Sequence, residues 1–181
     1  MDYIQGFRNE SPRHFKGILQ FLTYKSLNEL QISYECIEMQ EPVKENDRPF
    51  IRQQLDAPLA KTLFLKSGVP EEYYLYLMDE GSFFDQKRFR EALRIPEVSP
   101  ASEEEARKFL DTGKDHATIF SILLDSASGV RVVLDGDLTE REDLVFGDGS
   151  DTGFIRIRTS DLLERLLPRT EHTVDVIRSR E

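Results

Sequence analysis

Two apolar, strand-like runs separated by a turn constrain this chain most. Thr62-Leu63-Phe64-Leu65-Lys66 and Tyr73-Tyr74-Leu75-Tyr76-Leu77-Met78 flank Ser67-Gly68-Val69-Pro70, whose glycine and proline read as a hairpin loop. A third run, Val130-Arg131-Val132-Val133-Leu134, is dense in β-branched residues and predicts another strand. Lys61 heads the first run, directly before its apolar positions. Lysine is normally exposed, so one reading of Lys61 is a residue that precedes a strand and points to water. The other is a cation at the mouth of a pocket, placed to meet an anionic or carbonyl group.

Around these strands the periodicity changes repeatedly. Phe15, Ile18, Leu19 and Leu22 recur at i, i+3, i+4 and i+7 and predict an amphipathic helix continuing through Leu27 and Leu30. A strand over Ser33 to Met39 follows, then Pro42 and Lys44-Glu45-Asn46-Asp47 break the pattern before a short helix over Pro49 to Leu55. Phe84, Phe89 and Leu93 predict a helix that stops before Pro96. Ser102 and Glu105 have capping-box spacing for a helix from Glu103 to Leu110. Asp111 to Ala117 reads as polar loop, Thr118 to Leu124 as an apolar segment, and Asp135-Gly136-Asp137 as a turn. Strands at Leu144 to Phe146 and Phe154 to Ile157 enclose the loop Gly147 to Gly153. Thr159 or Ser160 is placed to cap a final helix, whose stripe of Leu162, Leu163, Leu166 and Leu167 ends at Pro168. Strands and helices intermix without a regular βαβ period, which predicts an α+β fold with a mixed, curved sheet surrounded by helices.

A chain of 181 residues with 39% hydrophobic content suits one domain, 1–181, ending in a charged tail from Arg169 to Glu181 expected to fray or dock weakly. No apolar run approaches the ~18 residues of a membrane span, and Met1-Asp2-Tyr3-Ile4 lacks the basic-then-apolar pattern of a secretory signal. A soluble, cytoplasmic protein with no membrane partner is the expectation. The lone cysteine, Cys36 in Tyr34-Glu35-Cys36-Ile37, fits a reducing compartment and reads as a small buried hydrophobe. A net charge of −10 argues against a broad nucleic-acid-coating surface, and no DNA partner is expected. Local cationic groups remain, Arg48, Arg52, Lys61 and Lys66 in one stretch and Arg8, Arg13 and Lys16 in another. Each reads either as scattered solvated charge or as contacts for a few phosphates of an RNA end.

Signals of familiar chemistry are weak. His14, His116 and His172 are scattered without metal-ligand spacing, so no metal and no cofactor are expected. His116 lies in a central loop, as a solvated histidine or as an acid/base group. Gly147-Asp148-Gly149-Ser150-Asp151-Thr152-Gly153 precedes a strand rather than a helix and has neither dinucleotide-loop glycine spacing nor the order of a nucleophile elbow. It reads as a tight polar connection or as a pocket wall.

Lys61-Thr62-Leu63-Phe64-Leu65, Val130-Arg131-Val132-Val133-Leu134-Asp135-Gly136-Asp137-Leu138 and Ser160-Asp161-Leu162-Leu163, in this order and spacing, resemble the YbaK/prolyl-tRNA-synthetase-associated family of aminoacyl-tRNA editing domains. The resemblance runs from about Ile18 to Leu167 and is nearest to the free-standing prolyl-tRNA deacylase branch. It implies a single α+β domain with a partly barrel-like sheet. It also implies hydrolysis of mischarged tRNA for proline, carrying alanine or cysteine, with the aminoacylated tRNA 3′ end as partner. In that family a lysine near the scissile ester, a terminal ribose hydroxyl and a water are thought to suffice. Carried over, Lys61 is the catalytic anchor, and Thr62, Asp115, His116, Ile119, Gly147 and Ser150 contact substrate. The chain departs from the family at two loops. The family's glycine-x-x-x-proline falls on Asp115 and Ile119 in one register, or on Gly113 and Ala117 in a shifted one, and a frequent Phe-His-Pro-Asn is replaced by Phe146-Gly147-Asp148-Gly149. Two other readings stay open, a non-catalytic module that binds an amino acid or RNA end and a protein-interaction domain.

Overall fold

The computed structural model of the chain describes residues 3–8 and 10–178. Its strands are β1 (Tyr3–Arg8), β2 (Tyr34–Met39), β3 (Ala60–Gly68), β4 (Glu71–Asp79), β5 (Ser99–Pro100), β6 (Val130–Asp135), β7 (Asp143–Gly147), β8 (Gly153–Arg158) and β9 (Val174–Ile177). Its α-helices are α1 (Ile18–Glu29), α2 (Arg48–Leu55), α3 (Gln86–Leu93), α4 (Glu103–Leu110), α5 (Gly136–Thr139) and α6 (Thr159–Asp161). The class is α+β in a single domain, as the irregular alternation of periods predicts. No helix among the described residues is long and apolar enough to cross a membrane.

The β3–β4 hairpin is the longest ladder, running from Ala60 opposite Asp79 to Gly68 opposite Glu71. β6 joins β4 in parallel, and the sheet order is β5-β3-β4-β6-β9. The remaining strands form an antiparallel sheet, β1-β2-β8-β7. The two sheets meet at a parallel bridge between Leu59 and Val145, where the Val145 amide donates to the Pro58 carbonyl at 2.9 Å.

Strand alternation distributes the apolar residues over three packed layers. Phe64, Leu75, Leu77 and Val132 of one sheet face Tyr34, Cys36, Phe146 and Ile155 of the other, and α1 and α4 close this main core with Leu19, Leu27, Ala106 and Leu110. On the outer face of the antiparallel sheet, Ile51 and Leu55 of α2 cover Ile37, Val145 and Phe154. On the outer face of the mixed sheet, Phe89 of α3 covers Tyr74, Tyr76 and Val133. The capping box forms as its spacing predicts, with Ser102 Oγ accepting from the Glu105 amide and Glu105 Oε2 accepting from the Ser102 amide.

Three local features differ from the sequence expectation. Helix α1 starts at Ile18 and leaves Phe15 and Ile18 exposed, and polar Gln20 and Thr23 take buried positions with Leu19, Tyr24 and Leu27. Thr23 Oγ1 donates to the Leu19 carbonyl at 2.9 Å, and Gln20 finds a partner described below. The final helix has no side-chain cap from Thr159 or Ser160; one α-turn widens to a π-turn over Leu162–Leu166 and tightens over Leu167–Arg169. The widened turn brings Leu162, Leu166 and Leu167 into the core together. Within the charged segment expected to fray or dock weakly, Val174–Ile177 pairs as a strand in parallel with β6, and Arg131 Nη2 holds Asp175 at 2.7 Å. Residues 179–181 of that segment lie outside the described residues.

Glu105 joins α4 to the hairpin. Lys66 Nζ approaches it at 2.7 Å, and the Tyr73 hydroxyl donates to it at 3.1 Å. These donors, Lys66 first and the Ser102 amide second, hold its carboxyl down at about 2. An unfolded glutamate titrates near ~4.3, so the unfolded chain binds this proton more tightly. The resulting stabilisation is complete above about pH 4.3 and is lost as pH falls towards about 2. Glu105→Gln is expected to be less stable at neutral pH. Its urea unfolding free energy should fall less than that of the wild type over this acidic interval.

Candidate active site

An open cleft of about 560 Å3 lies where the two sheets meet. Its floor is the start of β3, Leu59 to Leu63, held in place by the Leu59–Val145 bridge. One side comes from Val43, Lys44 and Arg48, ahead of and within α2. Lys114 to Ala117 form another side, and Gly147 at the end of β7 and Ser150 of the β7–β8 loop complete the wall. With Glu80, just after β4, five separate chain segments therefore converge, and within the floor Ala60 to Leu63 are regular strand.

The cleft is locally cationic in an acidic protein. Lys44, Arg48, Lys61 and Lys114 line it, balanced in part by Glu45, Glu80 and Asp115. Glu80 is occupied: Arg52 Nη2 lies 2.6 Å and Arg48 Nη1 3.7 Å from its carboxylate. Arg48 Nη2 also donates to the Asp115 carbonyl at 3.3 Å, which ties α2 to the loop across the cleft. Lys61 is half-buried and its ammonium has no hydrogen-bond or ion-pair partner among the described residues. A lysine with unused donors inside a cleft is an electrostatic anchor for a negatively charged or polarised oxygen.

The wall opposite α2 is fixed by a buried carboxylate. Asp148 is 1% exposed and accepts from Gln20 Nε2 at 2.8 Å, the Tyr24 hydroxyl at 3.0 Å, the Ser150 amide at 2.9 Å and the Ser150 hydroxyl at 2.6 Å. Burial, with the Asp148 charge adding, pushes the Tyr24 phenol far up, so its hydroxyl remains a donor to that carboxylate. The glycines of this loop answer to close approach. Gly149 has a φ of +94° and a Cβ there would lie 2.6 Å from Leu19 Cγ, while a Cβ at Gly153 would lie 2.0 Å from Asp148 Oδ2. Thr118 Oγ1 donates to the Gly147 carbonyl at 2.6 Å and joins the 114–117 segment to the same wall.

The structure brings Lys61, Thr62, Asp115, His116, Gly147 and Ser150 to this one cleft. Ile119 lies elsewhere. It is fully buried in the main core, in the short turn Ile119–Leu123, and Ala117 faces the cleft instead. Each of the two loop registers therefore has one of its two positions at the cleft, Asp115 in the first and Ala117 in the shifted one. The basic stretch divides: Arg48 and Lys61 line the cleft, Arg52 serves Glu80, and Lys66 pairs with Glu105. In the N-terminal group, Lys16 pairs with Glu38 at 3.1 Å and the Arg8 side chain lies outside the described residues. Lys114 and Glu80 carried no sequence signal, because loops placed by distant contacts deliver them. No three His, Cys, Asp or Glu side chains among the described residues converge as a metal-binding group.

Residues 52–164 match the aminoacyl-tRNA editing domain family. The chain is 25% identical over 151 residues to the prolyl-tRNA editing protein ProX of Acetoanaerobium sticklandii, a match covering 83% of this chain and 92% of that protein. Among solved structures, the hypothetical protein APE2540 superposes with a TM-score of 0.69 at 15% identity, over 86% of this chain and 98% of that one. A candidate trans-editing enzyme for prolyl-tRNA synthetase superposes with a TM-score of 0.67 at 14% identity, over 92% and 100%. These two likenesses describe the fold.

Removing the buried carboxylate tests how the wall is held. Asp148→Ala strands the Gln20 and Tyr24 donors and is expected to destabilise the protein by on the order of 3 kcal/mol in urea unfolding. A change within a few tenths of wild type would contradict the role given to Asp148.

Proposed function

The chain belongs to the aminoacyl-tRNA editing domain family, and from that premise we propose that it is a trans-editing hydrolase cleaving the ester of mischarged tRNA for proline. The observation that carries the reading is the unpartnered Lys61 ammonium within a locally cationic cleft, beside Thr62, Ala117, Gly147 and Ser150. The similarity to a prolyl-tRNA editing protein supports the choice of tRNA.

In the proposed reaction a water oxygen bonds to the ester carbonyl carbon. The carbonyl oxygen takes up negative charge, and the acyl bond to the terminal ribose oxygen then breaks. The proton lost by water ends on that ribose oxygen, so the products are the free amino acid and a tRNA with an intact 3′ end. Lys61 acts as the electrostatic anchor for the developing oxyanion, and an adjacent ribose hydroxyl serves as the relay for the water's proton. Thr62, Ser150 and the Gly147 backbone hold the ester in place, since much of the barrier can be removed by orientation alone. Asp115 and His116 border the amino-acid end. Ala60, Leu63 and Ala117 give that end a small apolar surface, which suits alanine or cysteine. The partner is the aminoacylated 3′ end, met in the cytoplasm where such tRNA resides.

The test is hydrolysis of alanyl-, cysteinyl- and seryl-tRNA specific for proline. Wild type is expected to release alanine or cysteine, and Lys61→Ala to lower kcat/KM by about 100-fold, the scale of one oxyanion donor. Survival of all three esters at their spontaneous rate would sink the reading, and tight tRNA binding without turnover would favour a non-catalytic module.

A further inference from the structure

Phe83 is 95% exposed, the most exposed large hydrophobic side chain among the described residues. Single exposed apolar residues are common, so exposure alone says little. What distinguishes Phe83 is how and where it is held. Its loop is anchored at one end by Asp79, whose carboxylate accepts from the Gly81 amide at 2.9 Å and whose carbonyl accepts from the Ser82 amide at 3.0 Å. At the other end Asp85 caps α3 by accepting from the Arg88 amide at 2.9 Å. The neighbouring Phe84 is packed against Tyr76 and Phe89, with ring centroids 5.8 and 5.6 Å away. Between these fixed points one ring is turned inward and the next is presented to solvent.

The loop also begins at the cleft. Glu80, three residues before Phe83, lines it and is clasped by Arg48 and Arg52. An exposed aromatic ring three residues along the chain from a carboxylate that lines a cationic cleft and is clasped by two guanidinium groups offers the two elements that bind unpaired nucleotides: rings stack on bases, and cations meet the phosphates.

We propose that Phe83 is a stacking platform for an unpaired base of the RNA strand whose esterified 3′ terminus occupies the cleft. The inference rests on the deacylase reading for the identity of that strand. Arg48 and Arg52, already positioned by Glu80 at the start of the same loop, supply the cations for the strand's phosphates. Phe83 thus binds substrate without touching the reacting atoms.

The test uses the full chain and a fluorescently labelled single-stranded RNA ending in CCA, read by anisotropy at low salt, where phosphate contacts are strongest. Phe83→Ala is expected to weaken binding on the order of tenfold and Phe83→Trp to retain it, at an unchanged melting temperature. Replacing the unpaired bases next to the terminal adenosine by abasic sites should remove the difference between wild type and Phe83→Ala. In deacylation of full-length tRNA, the loss should fall on KM. Equal RNA affinity of wild type and Phe83→Ala would overturn the inference and direct the ring to a protein partner. Hydrolysis together with Phe83-independent RNA binding would overturn this inference alone. Phe83-dependent RNA binding without hydrolysis of any ester would sustain it and overturn the deacylase reading alone.

Discussion

A carboxylate buried between a helix and a hairpin loop sets the geometry of the cleft. Asp148 could not sit at 1% exposure without compensation, since an unpaired buried charge costs several kcal/mol. Four donors from Gln20, Tyr24 and Ser150 supply it. The consequence reaches outward in two directions. Towards the core, α1 must turn Gln20 inward and expose Ile18, and Gly149 and Gly153 leave no room for a side chain. Towards the solvent, Gly147 and Ser150 are presented as a fixed wall facing Lys61 across the start of β3.

The opposite wall depends on charges rather than on burial. Arg48 and Arg52 share Glu80, and Arg48 reaches the Asp115 carbonyl, so α2, the end of β4 and the 114–117 segment are drawn together by ion pairs at the cleft rim. Such partly exposed pairs contribute modestly to stability and are weakened by salt. What they do here is orient cations and engage Glu80, one of the three cleft carboxylates that would otherwise compete for a ligand's positive end. The Lys61 ammonium is left without a partner among the described residues, at the point where the two sheets join.

Features that obey local rules were legible in the sequence. The β3–β4 hairpin follows from two β-rich runs and a Gly-Pro-containing turn, α4 from its capping box, and β6 from its β-branched residues. The gathering of Lys61, Thr62, Asp115, His116, Gly147 and Ser150 was legible only through family resemblance, because no spacing rule links those segments. Illegible were the choices decided by distant partners. Gln20 looks like a surface residue until its partner, 128 positions away, is in place. Ile119 and Ala117 differ in sequence only by two positions, yet a single tight turn sends one to the core and leaves the other at the cleft. Val174 to Ile177 sit in a charged segment with little strand signal, and the open edge of β6 recruits them.

The central claim is that the Lys61 ammonium meets the ester oxygen of an aminoacylated ribose in this cleft. Its most direct measurement is the NMR response of a Lys61-assigned side-chain signal to a non-hydrolysable amide analogue of 3′-alanyl-adenosine. The account predicts a saturable shift at Lys61, accompanied by shifts of the Thr62, Ala117, Gly147 and Ser150 amides. Saturable binding that leaves the Lys61 signal and these amides unmoved would contradict it.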